Sequence, residues 1–448
     1  MLKFSGGFLW GTATSAYQIE GAHNADGKGA SIWDTFAHLP GKVERNENGD
    51  VACDHYRRYR EDVAIMADLG LNAYRFSISW PRVMPDGTGA PNPAGLDFYN
   101  RLVDALLERN IRPFATLYHW DLPQALEDRG GWGRRETTAA FGDYAALMGR
   151  TLGDRLKDWI TFNEPLAIVS AGYIFGIFAP GKQDPKLAFQ VSHHLNLAHG
   201  HAVRALRSTV PRAHVGITQV SLPVYPATDS EADRRAARRY DGFVNRWYWD
   251  PPLLGAYPPD ILDRLGPVAP TITNGDLETI APPIDFFGHN SCTRAVVRDD
   301  PESVFLGAVQ LPADGKAQTA MGWEIYPGHL YDALMRITRD YGAPEIYITE
   351  NGACFDDEVV AGRIDDPQRT EYLRVHLAAA HRAIADGARL RGYFCWSLLD
   401  NFEWVVGYSK RFGVVYVDFA SQGRIVKTSG RFFSAVARRN GIESSTVG

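Results

Sequence analysis

The chain has 448 residues, with 47 Lys and Arg against 53 Asp and Glu, a formal net charge of −6. This balance gives no basic field for a nucleic-acid backbone, so we expect no nucleic-acid partner. With 45% hydrophobic and 22% charged residues, the composition excludes a disordered or collagen-like chain.

Short runs rich in β-branched and aromatic residues alternate with Ala- and Leu-rich stretches of helical period. The predicted strands, in chain order, are 8–17, 73–79, 113–119, 159–163, 214–220, 285–290, 345–350 and 392–397. The predicted helices include 56–69, 96–109, 137–152, 187–208, 231–248, 329–341 and 368–385. Such alternation indicates a parallel sheet, and eight units predict closure into a (β/α)₈ TIM barrel. We expect a single domain over 1–448, with extended loops that include 251–283 and 298–322.

The compartment is predicted from cysteine usage and from the absence of long apolar runs. Cys53, Cys292, Cys354 and Cys395 form no Cys-x-x-Cys pair of the kind that binds structural zinc. No apolar run approaches the ~20 residues of a membrane span, and the first ten residues lack a signal-peptide pattern. We expect a soluble, cytoplasmic protein with no membrane partner, and the sequence leaves a homo-oligomer open.

Two predicted strands end in a glutamate, at the point where a barrel places its reactive side chains. The fourth runs into Asn163-Glu164-Pro165, and the seventh into Glu350-Asn351-Gly352. Strands four and seven would bring the two carboxyls together across the barrel mouth. Such a pair suits hydrolysis of a glycosidic bond, in which one carboxyl protonates the leaving oxygen and the other attacks carbon or activates water. A single strand-end Glu is more often a solvated or ion-paired residue.

The segments around these glutamates resemble known signatures. Residues 161–165 and 348–352 are similar to the acid/base and nucleophile motifs of family 1 glycoside hydrolases, the β-glucosidase and β-galactosidase group. The resemblance extends through 8–21, 75–80, 118–123, 323–327 and 396–404. It implies a retaining, exo-acting β-glucosidase that cleaves the terminal non-reducing β-D-glucosyl residue of short β-glucosides, with β-galactosides and β-fucosides as secondary substrates. Because acetal hydrolysis needs neither, we expect no metal and no cofactor.

The resemblance also implies the catalytic roles. Glu350 would attack the anomeric carbon, while Glu164 would protonate the leaving oxygen and later deprotonate water. A negative Glu350 nearby would raise the pKa of Glu164. Arg75 would keep Glu350 ionised, unless it is a barrel-lining arginine with a structural partner. Asn163 would bond the sugar 2-hydroxyl.

Further residues would bind the sugar and the leaving group. The resemblance implies a stacking floor from Trp396, an aglycone wall from Trp323, and contacts from Gln18, His119, Asn163, Asn290, Glu403, Trp404 and Phe412. A carboxylate at Glu403 would repel a 6-phosphate, which disfavours the nearest alternative, a 6-phospho-β-glycosidase. Residues 409–411 are interpreted as a solvated loop. A non-catalytic β-glucoside-binding barrel is the other alternative.

The chain departs from the family pattern at three places. Ser291 and Cys292 stand where aromatic residues are usual, and Cys292 replaces a Tyr whose hydroxyl would bond the nucleophile. A thiol is a weak donor. Leu166 replaces a Trp that walls the leaving-group site, and 175–181 is unusually apolar. These changes predict an altered preference for oligosaccharides or for alkyl and aryl aglycones.

One predicted helix carries four histidines: His193, His194, His199 and His201. His194 and His201 share a face, but seven residues at 1.5 Å rise separate them by ~10 Å. They cannot share one ion, so we interpret this group as structural.

Overall fold

The computed structural model describes residues 1–303, 306–342 and 345–443. Eight parallel strands close into one barrel. They are β1 (Leu9–Ala13), β2 (Ala73–Ser77), β3 (Arg112–Tyr118), β4 (Asp158–Asn163), β5 (His214–Ser221), β6 (Phe286–Ser291), β7 (Glu345–Asn351) and β8 (Leu390–Trp396). The predicted (β/α)₈ barrel is confirmed, and each predicted strand overlaps an observed one.

Each strand pairs with its neighbours in chain order, and β8 closes onto β1 through the register pairs Gly392 with Leu9 and Trp396 with Ala13. The predicted first strand, 8–17, was too long. β1 ends at Ala13 and a helical turn, Ala16–Ile19, follows. The chain leaves the sheet because the Ala16 N–H donates to Ser77 Oγ at 2.7 Å instead of to a strand carbonyl.

Within the described ranges, eight helices are eleven or more residues long. They are α1 (His55–Asp68), α2 (Pro93–Glu108), α3 (Glu136–Leu152), α4 (Pro185–Thr209), α5 (Glu231–Asp241), α6 (Gly328–Asp340), α7 (Pro367–Ala385) and α8 (Thr428–Arg439). The sequence predicted the first seven. α2 and α4 begin two or three residues earlier than predicted, at prolines that suit a first helical turn. Asn92 and Asp184 cap them by accepting from the N–H groups of Ala94 and Leu187.

The predicted helix 231–248 is confirmed, since α5 continues without a break through a π-helical turn at Gly242–Arg246 into Trp247–Leu254. One prediction for the middle of the chain was wrong. The predicted loop 251–283 contains Pro259–Leu265 and Asp276–Ile280, which are helices. Pro259 occupies the first position of its helix, where a missing N–H costs nothing.

The predicted loop 298–322 is partly a hairpin. Ala295–Asp299 pairs with Ala308–Gln310, and Val224–Pro226 joins on the other side. Residues 304–305 of that prediction, like 444–448 of the predicted domain, lie outside the described residues.

The remaining elements are short. The helices are Ile32–Ala37, Trp80–Val83, Gln124–Glu127 and Pro165–Val169. Single 3₁₀ or π turns are Glu44–Asn46, Gly131–Gly133, Ser170–Ile174, Gly266–Val268 and Trp404–Val406. The strand pairs are Leu2–Lys3 with Gly441–Ile442, Val359–Val360 with Arg363–Ile364, and Val415–Asp418 with Gly423–Val426. Within the described ranges, no helix has both the length and the apolar character needed to cross a bilayer.

Aromatic side chains fill the barrel interior. The ring of Phe114 lies 5.3 Å from that of Tyr347 and 5.1 Å from that of Phe394, and Phe286 packs 5.2 Å from Tyr347. Leu9, with 9% of its surface exposed, belongs to the same cluster. Such packing makes the barrel a solid core. Any cavity at the carboxyl ends of the strands is therefore closed from below.

A substitution at Gly200 tests the packing of α4. A Cβ there would lie 1.7 Å from the backbone oxygen of Thr279, in the helix that the sequence did not predict. Ala is favoured over Gly in a helix by ~1 kcal/mol. We nevertheless expect Gly200→Ala to lower the free energy of unfolding by about 1–3 kcal/mol, because the added methyl group overpacks this contact. Thermal and urea denaturation measure it. Gly6→Ala, whose added Cβ meets nothing within 4 Å, is the control and should change little. Unaltered stability of Gly200→Ala would contradict the close approach.

Candidate active site

A cavity of about 340 Å³ opens at the carboxyl ends of the strands. Both predicted carboxyls line it. Glu164 follows β4 directly, and Glu350 is the second-last residue of β7. Nine of the predicted site residues reach its surface: His119, Asn163, Glu164, Trp323, Glu350, Trp396, Glu403, Trp404 and Phe412. The barrel therefore gathers residues from five different strand ends into one depression.

Arg75 holds Glu350 from inside the barrel. Its side chain projects from β2 and is only 1% exposed, and its Nη1 donates to a carboxylate oxygen of Glu350. Nη1 also lies 3.2 Å from the Thr349 carbonyl, Nη2 donates to Asn163 Oδ1 at 2.6 Å, and Nε donates to Thr116 Oγ1 at 3.1 Å. Burial raises the pKa of Glu350, whereas the Arg75 charge and Asn290 lower it. The guanidinium thus favours an ionised Glu350.

Glu164 has a neutral partner instead. The amide of Asn290 donates to Glu164 Oε1 at 2.7 Å, and burial together with the charge of Glu350 raises the pKa of Glu164 to about 8. The two glutamates therefore differ in environment, one paired with a cation and one with an amide. At neutral pH Glu164 holds its proton, which is the state of a general acid.

The backbone at Glu164 is strained. Its φ of 49° lies in the left-handed region. For a residue with a Cβ, this backbone conformation costs about 1–3 kcal/mol of conformational free energy. A bond from the Glu164 N–H to the Thr218 carbonyl, at 2.9 Å, and Pro165 as the first residue of the next helix hold this geometry. Strain of this kind persists where surrounding contacts fix it, and here it turns the carboxyl into the cavity.

Asn163 is held from three sides. Its Oδ1 accepts from Arg75 and, at 3.0 Å, from Asn290, which fixes the amide so that Nδ2 donates to His119 Nε2 at 3.1 Å. Burial and the charge of Arg75 lower the pKa of His119, so the imidazole is neutral. The Trp120 indole N–H donates to the Asn163 carbonyl at 2.9 Å. Asn163 and His119 are thus rigid before any ligand arrives.

Glu403 is a third acidic group at the cavity. The Gln18 amide nitrogen lies 3.4 Å from Glu403 Oε2, with shorter bonds to Asn401 Oδ1 and the Phe402 carbonyl. Burial and the charges of Glu350 and Glu164 raise the pKa of Glu403 to about 8. Arg75 bonds Glu350 and not Glu403. Glu403 therefore stays protonated over much of the neutral pH range.

Aromatic rings form the sides of the cavity. His119 lies nearly parallel to Trp396, at 6.0 Å, and to Trp404, at 6.1 Å. Trp323 packs 5.8 Å from Phe412, and both belong to the same apolar cluster as Trp396. Flat apolar faces beside hydrogen-bonding groups match a sugar ring, whose C–H surface is apolar and whose edge is polar.

Three predicted site residues lie behind the cavity surface. Arg75 bonds Glu350, Asn290 bonds Glu164, and Gln18 bonds Glu403. Gln18 and Asn290 were predicted as sugar contacts. In this structure they bond carboxyls that line the cavity and do not line it themselves. Asn290 is fully engaged, since its Oδ1 also accepts from Thr349 Oγ1 at 2.8 Å.

The cavity also has apolar lining residues that the sequence analysis did not name, at the exits of β3, β4, β5 and β6. They include Trp120, Ala167, Val220, Leu222 and Met321. Phe178 also lines the cavity and belongs to the apolar segment 175–181 noted in the sequence. Their residue types are those of an ordinary core, so the sequence offered only a weak signal. Val220 lies within a predicted strand, Leu222 lies just after it, and Met321 lies two residues before Trp323.

The interpretation of 409–411 as a solvated loop was wrong for Arg411. Its Nη1 donates to Asp400 at 2.8 Å, and its guanidinium lies over the Tyr416 ring. Asp400 also binds Lys427 Nζ at 2.7 Å, and Lys427 reaches Asp357 at 2.6 Å. This buried ion cluster anchors the segment between β8 and α8 that carries Glu403 and Phe412, so the arginine positions the site and is not available to a phosphate.

Three of the four histidines of α4 have structural partners. His193 bonds Tyr257 Oη and Asp276, His194 bonds the Trp132 carbonyl, and His199 bonds Thr161 Oγ1. Across 1–303, 306–342 and 345–443, no group of three or more His, Cys, Asp or Glu is arranged to hold a metal ion.

Comparison with known proteins agrees with this geometry. The model of glycosyl hydrolase family 1 matches residues 2–442. The chain belongs to this family. Similar relatives are β-glucosidase A of Thermotoga maritima, 48% identical over 98% of this chain and 99% of the relative, and a bifunctional β-D-glucosidase/β-D-fucosidase of Bifidobacterium breve, 43% identical over 95% and 96%. A solved β-glucosidase from Thermotoga maritima in complex with deoxynojirimycin is 48% identical, with a TM-score of 0.97 and coverage of 99% and 100%.

Cys292 is the residue that the sequence analysis expects to differ from the family pattern. The thiol lines the cavity, and burial with the charges of Glu164, Glu350 and Glu403 raises its pKa. A protonated thiol is a poor nucleophile and a weak donor. Glu350 therefore depends on Arg75 and Asn290 for its stabilisation.

The three acidic groups predict a pH-dependent cost in stability. A carboxyl with a folded-state pKa near 8, against an ordinary 4.5, retains its proton in the folded protein. Folding stability therefore falls as pH rises from 4.5 to 8, because the unfolded chain releases that proton first. We expect Glu403→Gln to be more stable than the wild type at pH 8–9, with a gap in melting temperature that shrinks toward pH 5. Scanning calorimetry across this range measures it, and a gap independent of pH would contradict the raised pKa.

Proposed function

We propose that this family 1 enzyme is a retaining, exo-acting β-glucosidase that releases the terminal non-reducing β-D-glucosyl residue of short β-glucosides. The observation that carries the proposal is a pair of glutamates at one cavity with different partners, Arg75 for Glu350 and Asn290 for Glu164. β-Galactosides and β-fucosides are proposed secondary substrates. The relative from Bifidobacterium breve, named for both glucosidase and fucosidase activity, supports the latter.

In the first step Glu350 is the nucleophile. Its carboxylate attacks the anomeric carbon while Glu164 donates its proton to the departing oxygen, which gives a covalent glycosyl-enzyme and a free alcohol. The proposed roles follow from charge: Arg75 stabilises the anionic nucleophile, and the raised pKa of Glu164 keeps the acid protonated.

In the second step Glu164 changes role. Ester formation removes the negative charge of Glu350, which was one cause of the raised pKa of Glu164. The pKa of Glu164 falls, so its carboxylate takes a proton from an incoming water that attacks the anomeric carbon. The C–O bond to Glu350 breaks, and glucose leaves with its β configuration retained.

The glucosyl residue is held by the polar side chains that line the cavity. We propose that Asn163 donates to the 2-hydroxyl, that His119 and Glu403 bond other hydroxyls, and that Trp396 and Trp404 stack against the ring. Gln18 and Asn290 would position the carboxyls they bond, and Phe412 would complete the wall. The aromatic core that closes the barrel below supports an exo mode, because a sugar chain can enter by its end alone.

Glu403 supports an unphosphorylated sugar. A carboxyl whose pKa is near 8 can donate and accept bonds with hydroxyls, and on ionising it repels a phosphate. Arg411, the guanidinium close to this segment in sequence, is paired with Asp400. We therefore favour a β-glucosidase over a 6-phospho-β-glycosidase.

Two broader statements belong to the same proposal. We propose that residues 1–448 act as one catalytic domain, supported by the family match over 2–442. We also propose a reducing, cytoplasmic location, supported by four cysteines that are all free thiols.

Proton NMR of the first product tests the proposed function. With p-nitrophenyl β-glucoside as substrate, we expect β-glucose to appear first and the α anomer only at the rate of mutarotation. Initial α-glucose would overturn the double displacement. Binding without release of glucose would favour the non-catalytic alternative, and turnover of the 6-phosphorylated substrate alone would favour the phospho-glycosidase.

A further inference from the structure

The strand that carries Glu350 is irregular at the residue before it. Along the β6 side, Ile348 pairs with His289 and Glu350 pairs with Asn290, so Thr349 is an extra residue without a register partner on β6. An extra residue of this kind is a β-bulge, which re-aims the neighbouring side chains. The bulge therefore lies directly beside the proposed nucleophile.

The bulge lets two successive side chains reach the hydrogen-bond network of the site. In a regular strand, successive side chains point to opposite faces. Thr349 Oγ1 nevertheless donates to Asn290 Oδ1 at 2.8 Å, while the next residue, Glu350, accepts from Arg75. Because Asn290 also bonds Glu164, Thr349 is one hydrogen bond away from the group that binds the proposed acid.

The hydroxyl of Thr349 has a second neighbour, Thr218 on β5. Thr218 Oγ1 donates to Thr349 Oγ1 over a longer contact of 3.3 Å, and both side chains are fully buried. Gly288, on the strand between them, leaves room for this contact, since a Cβ there would lie 2.3 Å from Thr218 Oγ1. With its oxygen accepting from Thr218, the Thr349 hydroxyl directs its one hydrogen to Asn290.

These bonds decide which end of the Asn290 amide faces Glu164. Thr349 occupies the amide oxygen, so the amide nitrogen is directed to the other side, where it donates to Glu164 Oε1 at 2.7 Å and to Asn163 Oδ1 at 3.0 Å. Arg75 has only hydrogens to offer, and its bond to Asn163 Oδ1 fixes that atom as an acceptor. A reversed Asn290 amide would bring two oxygens together at Asn163, and the Thr349 hydroxyl would lose its acceptor.

The direction of the Asn290 amide determines where Glu164 carries its proton. An N–H that donates to Oε1 leaves Oε2 as the oxygen that is protonated in the neutral carboxyl. The same N–H stabilises the carboxylate once the proton has left, and it lowers the pKa of Glu164 against the opposing effects of burial and the Glu350 charge. Donation from Asn290 therefore suits both states that the proposed mechanism requires of Glu164.

We propose that Thr349 is a positioning residue, whose hydroxyl holds the Asn290 amide with its nitrogen toward Glu164 and thereby keeps the acidic proton on Oε2. This inference rests on the proposed β-glucosidase function and adds a residue that does not line the cavity. In the first step the leaving oxygen takes the Oε2 proton as its bond to the anomeric carbon breaks. In the second step the attacking water gives a proton back to Oε2 as the ester bond to Glu350 breaks.

The pH dependence of both steps tests this role. Thr349→Val replaces the hydroxyl by a methyl group of similar size, so Asn290 Oδ1 loses its donor and the amide can reverse. The alkaline limb of kcat/KM reports loss of the Glu164 proton in the free enzyme, and we expect it to move up by about 0.5–1 pH unit, because the carboxylate loses a donor.

The second step gives an independent readout. Dinitrophenyl β-glucoside has a leaving group that needs little protonation, so its kcat is limited by hydrolysis of the glycosyl-enzyme, which requires an ionised Glu164. We expect the acidic limb of this kcat to move up in Thr349→Val by a similar amount, about 0.5–1 pH unit. A change that only loosened the fold would lower the rate without moving both limbs in the same direction.

The charges around Glu164 are the same in this variant. Among the described residues, the charged and titratable side chains that act on Glu164 are Glu350 on β7, Arg75 on β2, and Glu403 and Cys292 after β8 and β6. Thr349→Val alters none of them, so an upward shift of both limbs reports the direction of the Asn290 amide.

Three further variants separate positioning from packing. Thr349→Ser keeps the hydroxyl and loses only a methyl group, so we expect both limbs at the wild-type pH. Thr349→Ala lacks the hydroxyl without adding bulk, and it should reproduce the shifts of Thr349→Val. Thr161→Val removes another fully buried threonine hydroxyl, which bonds His199 at 2.7 Å, and this matched control should leave both limbs in place.

The outcomes separate this inference from the function on which it rests. Unshifted limbs in Thr349→Val and Thr349→Ala, or equal shifts in Thr349→Ser or Thr161→Val, would overturn the positioning role and leave the β-glucosidase intact. No release of dinitrophenol from its β-glucoside by the wild type would overturn the proposed function, and the inference with it.

Discussion

The ion pair between Arg75 and Glu350 is the interaction on which the site depends. Three acidic side chains, Glu164, Glu350 and Glu403, share one small cavity, and the buried guanidinium bonds just one of them directly. Burial opposes ionisation of all three, so the position of the cation decides which carboxyl bears the charge. The difference between the proposed nucleophile and the proposed acid therefore originates in a residue of β2 that does not line the cavity.

Arg75 also couples charge to geometry. Its second nitrogen fixes the oxygen of Asn163, which directs the Asn163 amide toward His119, and Asn290 bonds both Asn163 and Glu164. One connected network therefore orients Glu164, Glu350 and the Asn163 amide. Such preorganisation reduces the rearrangement needed when a substrate binds. It also compensates for Cys292, which offers Glu350 little hydrogen bonding.

The sequence predicted the parts of the molecule that repeat or that carry rare chemistry. Alternating strands and helices predicted the barrel, and strand-end glutamates within specific motifs predicted two carboxyls that line one cavity. Tertiary contacts decided the rest. The Ala16 N–H donates to Ser77 just after β1, Pro259 begins a helix where a loop was predicted, and Arg411 pairs with Asp400. Leu222 and Met321 escaped notice because apolar residues near a strand end are indistinguishable from core until the loops are placed.

Azide rescue of Glu350→Ala tests the assignment of the nucleophile most directly. Removing the carboxylate should lower turnover of an activated aryl β-glucoside by a factor on the order of 10³ or more, while azide, which fits the vacated space, should restore it. Because azide would attack from the side that Glu350 occupied, the account predicts α-glucosyl azide as the product, identified by NMR. β-Glucosyl azide, or a variant that retains activity without azide, would contradict it.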